Sequence, residues 1–116
     1  MNSWRNKFYL LFLFSLIVNA PVTFATSPRD IEIKIIGTKV YVKVYHHVVN
    51  PRQHYIKFIY VYVNGRWRVK QRFFYQQNPE YQEAVFNIPS LHRKDEVLVI
   101  AYCNLHGKLD KMAIAP

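Results

Sequence analysis

The sequence is poor in glycine, acidic residues and cysteine, and each shortage argues against a class of function. Its three glycines, Gly37, Gly65 and Gly107, are widely separated, so no glycine-rich loop is available to hold a phosphate group. The 7 acidic residues include no pair in a plausible catalytic setting. Cys103 is the only cysteine, and it therefore cannot form an intramolecular disulfide.

A long apolar run occurs only at the N-terminus. Arg5 and Lys7 precede the apolar residues 8–18, and small and polar residues follow up to Ala25. This order is typical of a secretory signal peptide, which we assign to residues 1–25, with cleavage after Ala25. The run is short for a bilayer span, and an uncleaved membrane anchor is the alternative.

Removal of the signal peptide leaves residues 26–116, which are enough for one small domain. We expect this domain to be exported, either periplasmic or extracellular, and free of the membrane after cleavage. Of the 16 basic residues, two precede residue 26, so 14 basic against 7 acidic residues leave a net charge of about +7. Such a charge suits a small anionic substrate, an anionic membrane or nucleic acid, and export argues against nucleic acid.

Beyond the leader, the pattern of the sequence is that of an all-β domain without helices. Runs rich in Val, Ile, Tyr and Phe alternate apolar with polar residues, and turn residues separate the runs. Asn64-Gly65, between two aromatic-rich runs, is the strongest hairpin signal. Seven short strands predict an antiparallel β-sandwich. The predicted strands are Ile31 to Ile36, Lys39 to Tyr45, Tyr55 to Val63, Trp67 to Tyr75, Glu83 to Ile88, Glu96 to Tyr102 and Lys108 to Ala113.

The segment from Cys103 to Gly107 combines a thiol with the imidazole of His106, two residues apart in the chain. Such spacing lets one turn present both ligands to one metal ion, and Gly107 permits the tight backbone. Strand alternation also puts Cys103 on the same face as Val97 and Val99, at the inner end of a core strand. The sequence therefore offers the thiolate as a metal ligand.

A second group of possible ligands lies between residues 46 and 56. His46 and His47 follow one predicted strand, and His54 precedes the next after a short loop. By alternation His46 shares the inward face with Val44, whereas His47 points outward if the strand continues, so we favour His46 over His47. Three histidines and the only cysteine, all at strand ends, predict a metal site.

Together the two segments resemble the iron-centre domain of superoxide reductases, the desulfoferrodoxin or neelaredoxin family. Members of that family carry a histidine, a short loop and a His-Tyr-Ile strand, and they close with a Cys-Asn-x-His-Gly turn. This chain has both parts in the same order, from His46 to Ile56 and from Cys103 to Gly107. The strand order of the family implies that the sandwich is immunoglobulin-like.

The resemblance implies a mononuclear iron, Fe²⁺ or Fe³⁺, with the Cys103 thiolate as axial ligand and His46, His54 and His106 as equatorial ligands. It also implies an open position for superoxide, reduction of superoxide to hydrogen peroxide, and an electron donor protein as partner. Family members have a further histidine ligand upstream, but no histidine precedes His46 here. His47 is the alternative or additional ligand.

Two other functions remain open at this point. Cys103, His106 and Met112, with His54 or His46, imitate the ligand set of a blue-copper electron carrier, which is also built on a β-sandwich. The absent upstream histidine also fits a non-catalytic carrier or binding domain that kept the fold and lost the complete metal site. If the domain binds iron, three groups are left to complete its coordination sphere: His47, a solvent molecule or a neighbouring subunit of a homo-oligomer.

Overall fold

The computed structural model describes residues 26–116, and these form seven strands and no helix. The predicted signal peptide, residues 1–25, lies outside the described residues. Within the described part of the chain, no helix has the length and apolarity that a membrane crossing requires. The strands are β1 (Asp30–Ile36), β2 (Lys39–Tyr45), β3 (Ile56–Val63), β4 (Arg66–Arg72), β5 (Tyr81–Asn87), β6 (Glu96–Cys103) and β7 (Lys108–Ile114).

The strands form two antiparallel sheets. The first has the order β1-β2-β5 and the second has the order β4-β3-β6-β7. In a constant-type immunoglobulin domain the fourth strand joins the sheet of the first, second and fifth. Here β4 pairs instead with β3, which gives three strands against four. The predicted immunoglobulin-like β-sandwich is confirmed.

Alternating side chains build the core between the two sheets. Val40, Val42 and Val44 of β2 face Val97 and Val99 of β6 across the interior, and all five are at most 2% exposed. β-Branched residues suit such positions because they pack well on a pleated surface. The next inward position after Val44 along the same chain is His46, so the core leads directly to the site described below.

The predicted strand bounds are confirmed to within a few residues, and the largest difference is at β4. This strand ends at Arg72 rather than Tyr75, because the chain turns away and the Gln76 amide donates to the Pro51 carbonyl at 2.9 Å. The hairpin between β3 and β4 is confirmed. Its two turn residues, Asn64 and Gly65, have φ of 51° and 80°, as a type I′ turn requires.

A bulge at the start of β3 sets the position of the loop that precedes it. Ile56 pairs with Cys103, but Phe58 pairs with Tyr102, so β3 has one extra residue at Lys57. Bulges of this kind re-aim neighbouring side chains and are frequent beside functional sites. Because β3 begins where β6 ends, the bulge lies beside Cys103 at one end of the sandwich.

Candidate metal centre

His46 lies directly after β2 and is fully buried. Its amide donates to the Glu80 carbonyl at 2.9 Å, which continues the strand by one residue and directs the imidazole inward. The Nδ1 atom lies 2.8 Å from Gln76 Oε1, and the Nε2 atom lies 2.8 Å from the carbonyl oxygen of Thr26. The inward orientation that alternation predicted for His46 is confirmed.

The side chain of Gln76, 2% exposed, determines which nitrogen of His46 carries hydrogen. Its Nε2 donates to the carbonyl oxygens of His46 at 2.7 Å and Asn78 at 2.9 Å, so the amide cannot be turned around without losing both bonds. Its Oε1 must therefore accept from Nδ1 of His46. A neutral His46 ring then presents the lone pair of Nε2, as a metal ligand must.

His54 belongs to the loop before β3, and the loop is closed by Asn50. The His54 amide donates to the Asn50 carbonyl at 2.9 Å, and Asn50 Oδ1 accepts from the Arg52 amide at 3.0 Å. The His54 ring meets the His46 ring edge to face, with centroids 4.7 Å apart. Burial chiefly, and then the nearby His46, lower the pKa of His54 below its usual 6.5, against an upward contribution from the Thr26 carbonyl. A neutral imidazole is the form that binds a metal.

Cys103 is the last residue of β6, and its half-buried sulfur accepts hydrogen bonds from the turn that follows. The amides of Leu105 and His106 each lie 3.4 Å from Sγ. The Cys103 amide donates to the Gly107 carbonyl at 3.0 Å, with Gly107 at a φ of 79°. Amide donors aimed at sulfur stabilise a thiolate and tune a metal bound to it.

Asn104 joins the two ligand-bearing segments. Its Oδ1 accepts from the Tyr55 amide at 2.8 Å, its own amide donates to the Tyr55 carbonyl at 3.0 Å, and its Nδ2 donates to the Gln53 carbonyl at 3.0 Å. These three bonds hold the residues on both sides of His54 against the turn that follows Cys103. The asparagine of the Cys-Asn-x-His-Gly motif therefore has a structural task that the sequence motif alone does not reveal.

The ligand atoms of His46, His54 and Cys103 lie within 4.8 Å of one another. His54 Nε2 is 3.1 Å from Cys103 Sγ. Two donors about 2.1 Å from one metal ion, at adjacent positions of an octahedron, lie about 3.0 Å apart. Imidazole nitrogens and a thiolate suit iron, copper or zinc. The three residues therefore fit a mononuclear transition metal in both spacing and chemistry.

The other candidate histidines lie outside this group of three. His106 is exposed and reaches Cys103 through its main-chain amide only, and its role as a ligand stays a prediction. His47 points to solvent as expected, with Nδ1 2.9 Å from Glu80 Oε1, and its alternative role also stays a prediction. His92 precedes β6, at the opposite end of that strand from Cys103.

The ligand set of the blue-copper hypothesis is not assembled, because Met112 is remote from the cluster. In β7 it pairs with Leu98, five residues before Cys103 along β6, and its side chain is 53% exposed. At about 3.4 Å per residue the separation is about 17 Å. Met112 is an exposed residue of β7.

Sequence reasoning missed two residues of the site, Gln76 and Thr26. Nothing in the sequence around Gln76, which lies in a loop rich in polar residues, distinguishes a buried glutamine from an exposed one. Thr26 is the first residue after the predicted cleavage position, and its carbonyl oxygen lies 2.8 Å from His46 Nε2 and 3.1 Å from His54 Nε2. The position of the predicted cleavage was the one signal that pointed to Thr26.

Comparison with known proteins gives one matching family and two similar solved structures. Residues 23–111 match the family model described as Desulfoferrodoxin. The chain is similar to the solved superoxide reductase (1Fe-SOR) from Giardia intestinalis, with a TM-score of 0.59 and 21% identity over 77% of this chain and 99% of that one. It is also similar to the hypothetical protein PH1083 from Pyrococcus horikoshii OT3, with a TM-score of 0.49 and 19% identity over 82% and 93% of the two chains. No curated protein matches the sequence.

The structural similarity to the Giardia protein supports the fold, and the family model covers both ligand-bearing segments. The model begins before Thr26 and ends within β7, so it spans the whole cluster of His46, His54 and Cys103. The resemblance that the two sequence motifs indicated is confirmed. The chain belongs to the desulfoferrodoxin family.

Proposed function

We propose that this protein is an exported mononuclear iron protein that reduces superoxide to hydrogen peroxide. The observation that carries the proposal is the convergence of His46, His54 and Cys103 within 4.8 Å at one end of the sandwich. Membership of the desulfoferrodoxin family and similarity to a superoxide reductase support the choice of iron and of superoxide. Bound iron supplies the single electron that superoxide takes up, and two protons complete hydrogen peroxide.

The residues of the chain prepare the site for this chemistry. Gln76 and the buried position of His46 orient one imidazole, and the loop closed by Asn50 orients that of His54. The amides of Leu105 and His106 donate hydrogen bonds to the sulfur of Cys103 and so orient it. A thiolate ligand donates electron density to its metal and so favours electron transfer to the substrate.

His106 and the positive charge contribute from the solvent side in this proposal. His106 follows Cys103 in the same turn and is exposed, so it is our candidate for the third imidazole ligand at the mouth of the site. A net charge of about +7 over residues 26–116 raises the rate at which a small anion meets the protein. An electron donor protein restores the reduced state, and the signal peptide places the reaction outside the cytoplasm.

The metal is tested first. We would purify the exported protein without chelator, determine its metal content, and record visible spectra of the oxidised and reduced forms. Iron with a thiolate charge-transfer band that disappears on reduction supports the proposal, and Cys103→Ser should abolish the band. An intense blue copper band would favour the electron carrier. No bound metal after anaerobic loading with Fe²⁺ would favour the carrier domain without a metal.

The reaction is tested next with the loaded protein and a superoxide source. Reduction predicts one hydrogen peroxide per superoxide and oxidation of the metal in a single turnover, whereas dismutation also releases oxygen. His106→Ala should lower the metal affinity or the rate, and His92→Ala is the matched control because this exposed histidine lies at the far end of β6. Equal loss in both variants would refute the assignment of His106.

A further inference from the structure

The N-terminal segment of the described chain is built into the site rather than lying beside it. Thr26 Oγ1 donates to the His47 carbonyl at 2.6 Å, and the Arg29 amide donates to the Tyr45 carbonyl at 2.7 Å. Between them Pro28 is buried, and Ser27 packs against Gly107 so closely that a Cβ on Gly107 would overlap Ser27 Oγ. These contacts fix the carbonyl group of Thr26 in place.

The Thr26 carbonyl oxygen lies within 3.1 Å of two of the candidate ligand nitrogens. His46 Nε2 lies 2.8 Å from the oxygen, and the bond between its Nδ1 and Gln76 Oε1 holds the ring in that orientation. His54 Nε2 lies 3.1 Å from the same oxygen and 3.1 Å from Cys103 Sγ, and a single N–H can point at only one of them. A main-chain carbonyl oxygen this close to the nitrogens of two candidate ligands can bind the same cation as they do.

We propose that Thr26 is a metal ligand through its main chain, with the carbonyl oxygen as one donor and the free α-amino nitrogen of the processed chain as the second. The inference rests on the proposed iron site and on cleavage after Ala25, which makes Thr26 the N-terminal residue. The amine and the carbonyl oxygen of one residue close a five-membered ring with a metal ion. Thr26 thereby supplies the nitrogen donor that no upstream histidine is present to supply.

The distances agree with this assignment. The carbonyl oxygen is 2.8 Å from His46 Nε2 and 3.1 Å from His54 Nε2, close to the spacing of about 3.0 Å between adjacent ligands of one transition metal ion. The Thr26 side chain is directed elsewhere, to the His47 carbonyl. The ligand is therefore a property of the chain terminus and not of the threonine side chain, and this distinction makes the proposal testable.

The first measurement is the intact mass of the exported protein. A mass that corresponds to residues 26–116 supports the proposal, and any other N-terminus in the exported form overturns it. Binding is then measured with Co²⁺, an air-stable substitute for Fe²⁺ whose absorption reports thiolate ligation, in competition with a chromophoric chelator. Four proteins are compared: residues 26–116, the same chain with Ala25 retained, the chain shortened to begin at Ser27, and Thr26→Val within 26–116.

Loss of a residue that only supports a metal ligand lowers affinity about 10- to 100-fold, so loss of a direct donor should lower it by about tenfold or more. We expect that loss in the chain with Ala25 retained, where the Thr26 nitrogen is an amide, and in the chain that begins at Ser27. Thr26→Val keeps both main-chain donors and loses only the Oγ1 bond to the His47 carbonyl, so it should lose less affinity than either of these two proteins. The cobalt spectrum should also change in the first two proteins and not in the third.

Equal affinity in the reference and the chain with Ala25 retained would overturn the proposal while leaving the iron site intact. Failure of all four proteins to bind Co²⁺ or Fe²⁺ would instead reject the proposed function. A chain beginning at Ser27 could also lose affinity by unfolding, so its thermal transition is recorded without metal. The comparison with Ala25 retained decides the question independently, because every contact of the described residues is present in that protein.

Discussion

Replacement of Gln76 by leucine should separate the positioning of a ligand from the stability of the fold. Leucine has a similar volume but cannot accept from His46 Nδ1 or donate to the carbonyls of His46 and Asn78. The imidazole is then free to turn or to place hydrogen on Nε2, the nitrogen that faces the other ligands. Loss of such an outer partner lowers metal affinity about 10- to 100-fold.

The cost to stability follows from the same contacts. A lost hydrogen bond costs about 1 kcal/mol, and a buried polar group left unsatisfied costs about 1–3 kcal/mol. The carbonyl and Nδ1 of His46 are both buried, so Gln76→Leu should lower the free energy of unfolding of the metal-free protein by about 3–5 kcal/mol. A domain of this size has about 5–10 kcal/mol in total, so the effect is large but measurable by urea unfolding.

Two further variants make the result decisive. Gln82 is also buried, at 6% exposure, but its amide bonds to Gln77 and to the Glu83 carbonyl, so Gln82→Leu should cost stability and leave Co²⁺ affinity unchanged. Gln76→Glu keeps an oxygen acceptor for Nδ1 of His46 and should recover most of the affinity, though not the stability. If Gln76→Leu binds Co²⁺ as tightly as Gln82→Leu, the argument about the His46 tautomer is wrong.

Three other variants test the fold around the site. Gly107→Ala should destabilise the protein more than Gly65→Ala. Both positions have a φ near 80° and share a backbone cost of about 1–2 kcal/mol, but only the methyl group added to Gly107 would meet Ser27. Equal losses in thermal unfolding would show that this contact is unimportant. Ile59→Ala should cost about 2–5 kcal/mol in urea unfolding, since Ile59 is fully buried, and a loss below 1 kcal/mol would contradict its place in the core. The hydrogen bond from Asn64, followed by that from the His92 amide, lowers the pKa of Asp95 below 3.8. The contribution of Asp95 to stability is therefore complete above pH 3.8 and is lost as the pH falls through the lower pKa of the folded state. Asp95→Asn should make the free energy of unfolding fall less steeply at acid pH, and an unchanged fall would show that other groups cause it.

Much of the sandwich could be predicted from the sequence because its strands are governed by local alternation. Val40, Val42 and Val44 repeat every second residue, and that period alone put His46 on the inward face. The bounds of β4 were less predictable, since cations occupy every second position of this edge strand and Val69 is the one residue of the strand that packs against the core. Its end depends on a bond from Gln76 to Pro51, more than twenty residues earlier in the chain.

The site was predictable only where its residues have distinctive chemistry. Cysteine and histidine at strand ends are distinctive candidate ligands, and the sequence grouped His46, His54 and Cys103 on this ground, as the structure does. Gln76 and Asn104 act through amide groups, which look the same in the sequence whether they are buried or exposed. The Thr26 donor lies in the backbone, which every residue has, so no side-chain pattern could reveal it.

The three hydrogen bonds of Asn104 join it to Tyr55 and Gln53, and none of them uses a ligand atom of the metal cluster. Zinc fingers fold only when their metal binds, so that binding energy is folding energy. Here the loop of His54 and the turn after Cys103 are joined by hydrogen bonds that do not depend on a metal, so the ion binds to a preformed site. Metal loss and reloading should then proceed without refolding. An environment poor in iron would leave a folded apoprotein that can bind iron when it becomes available.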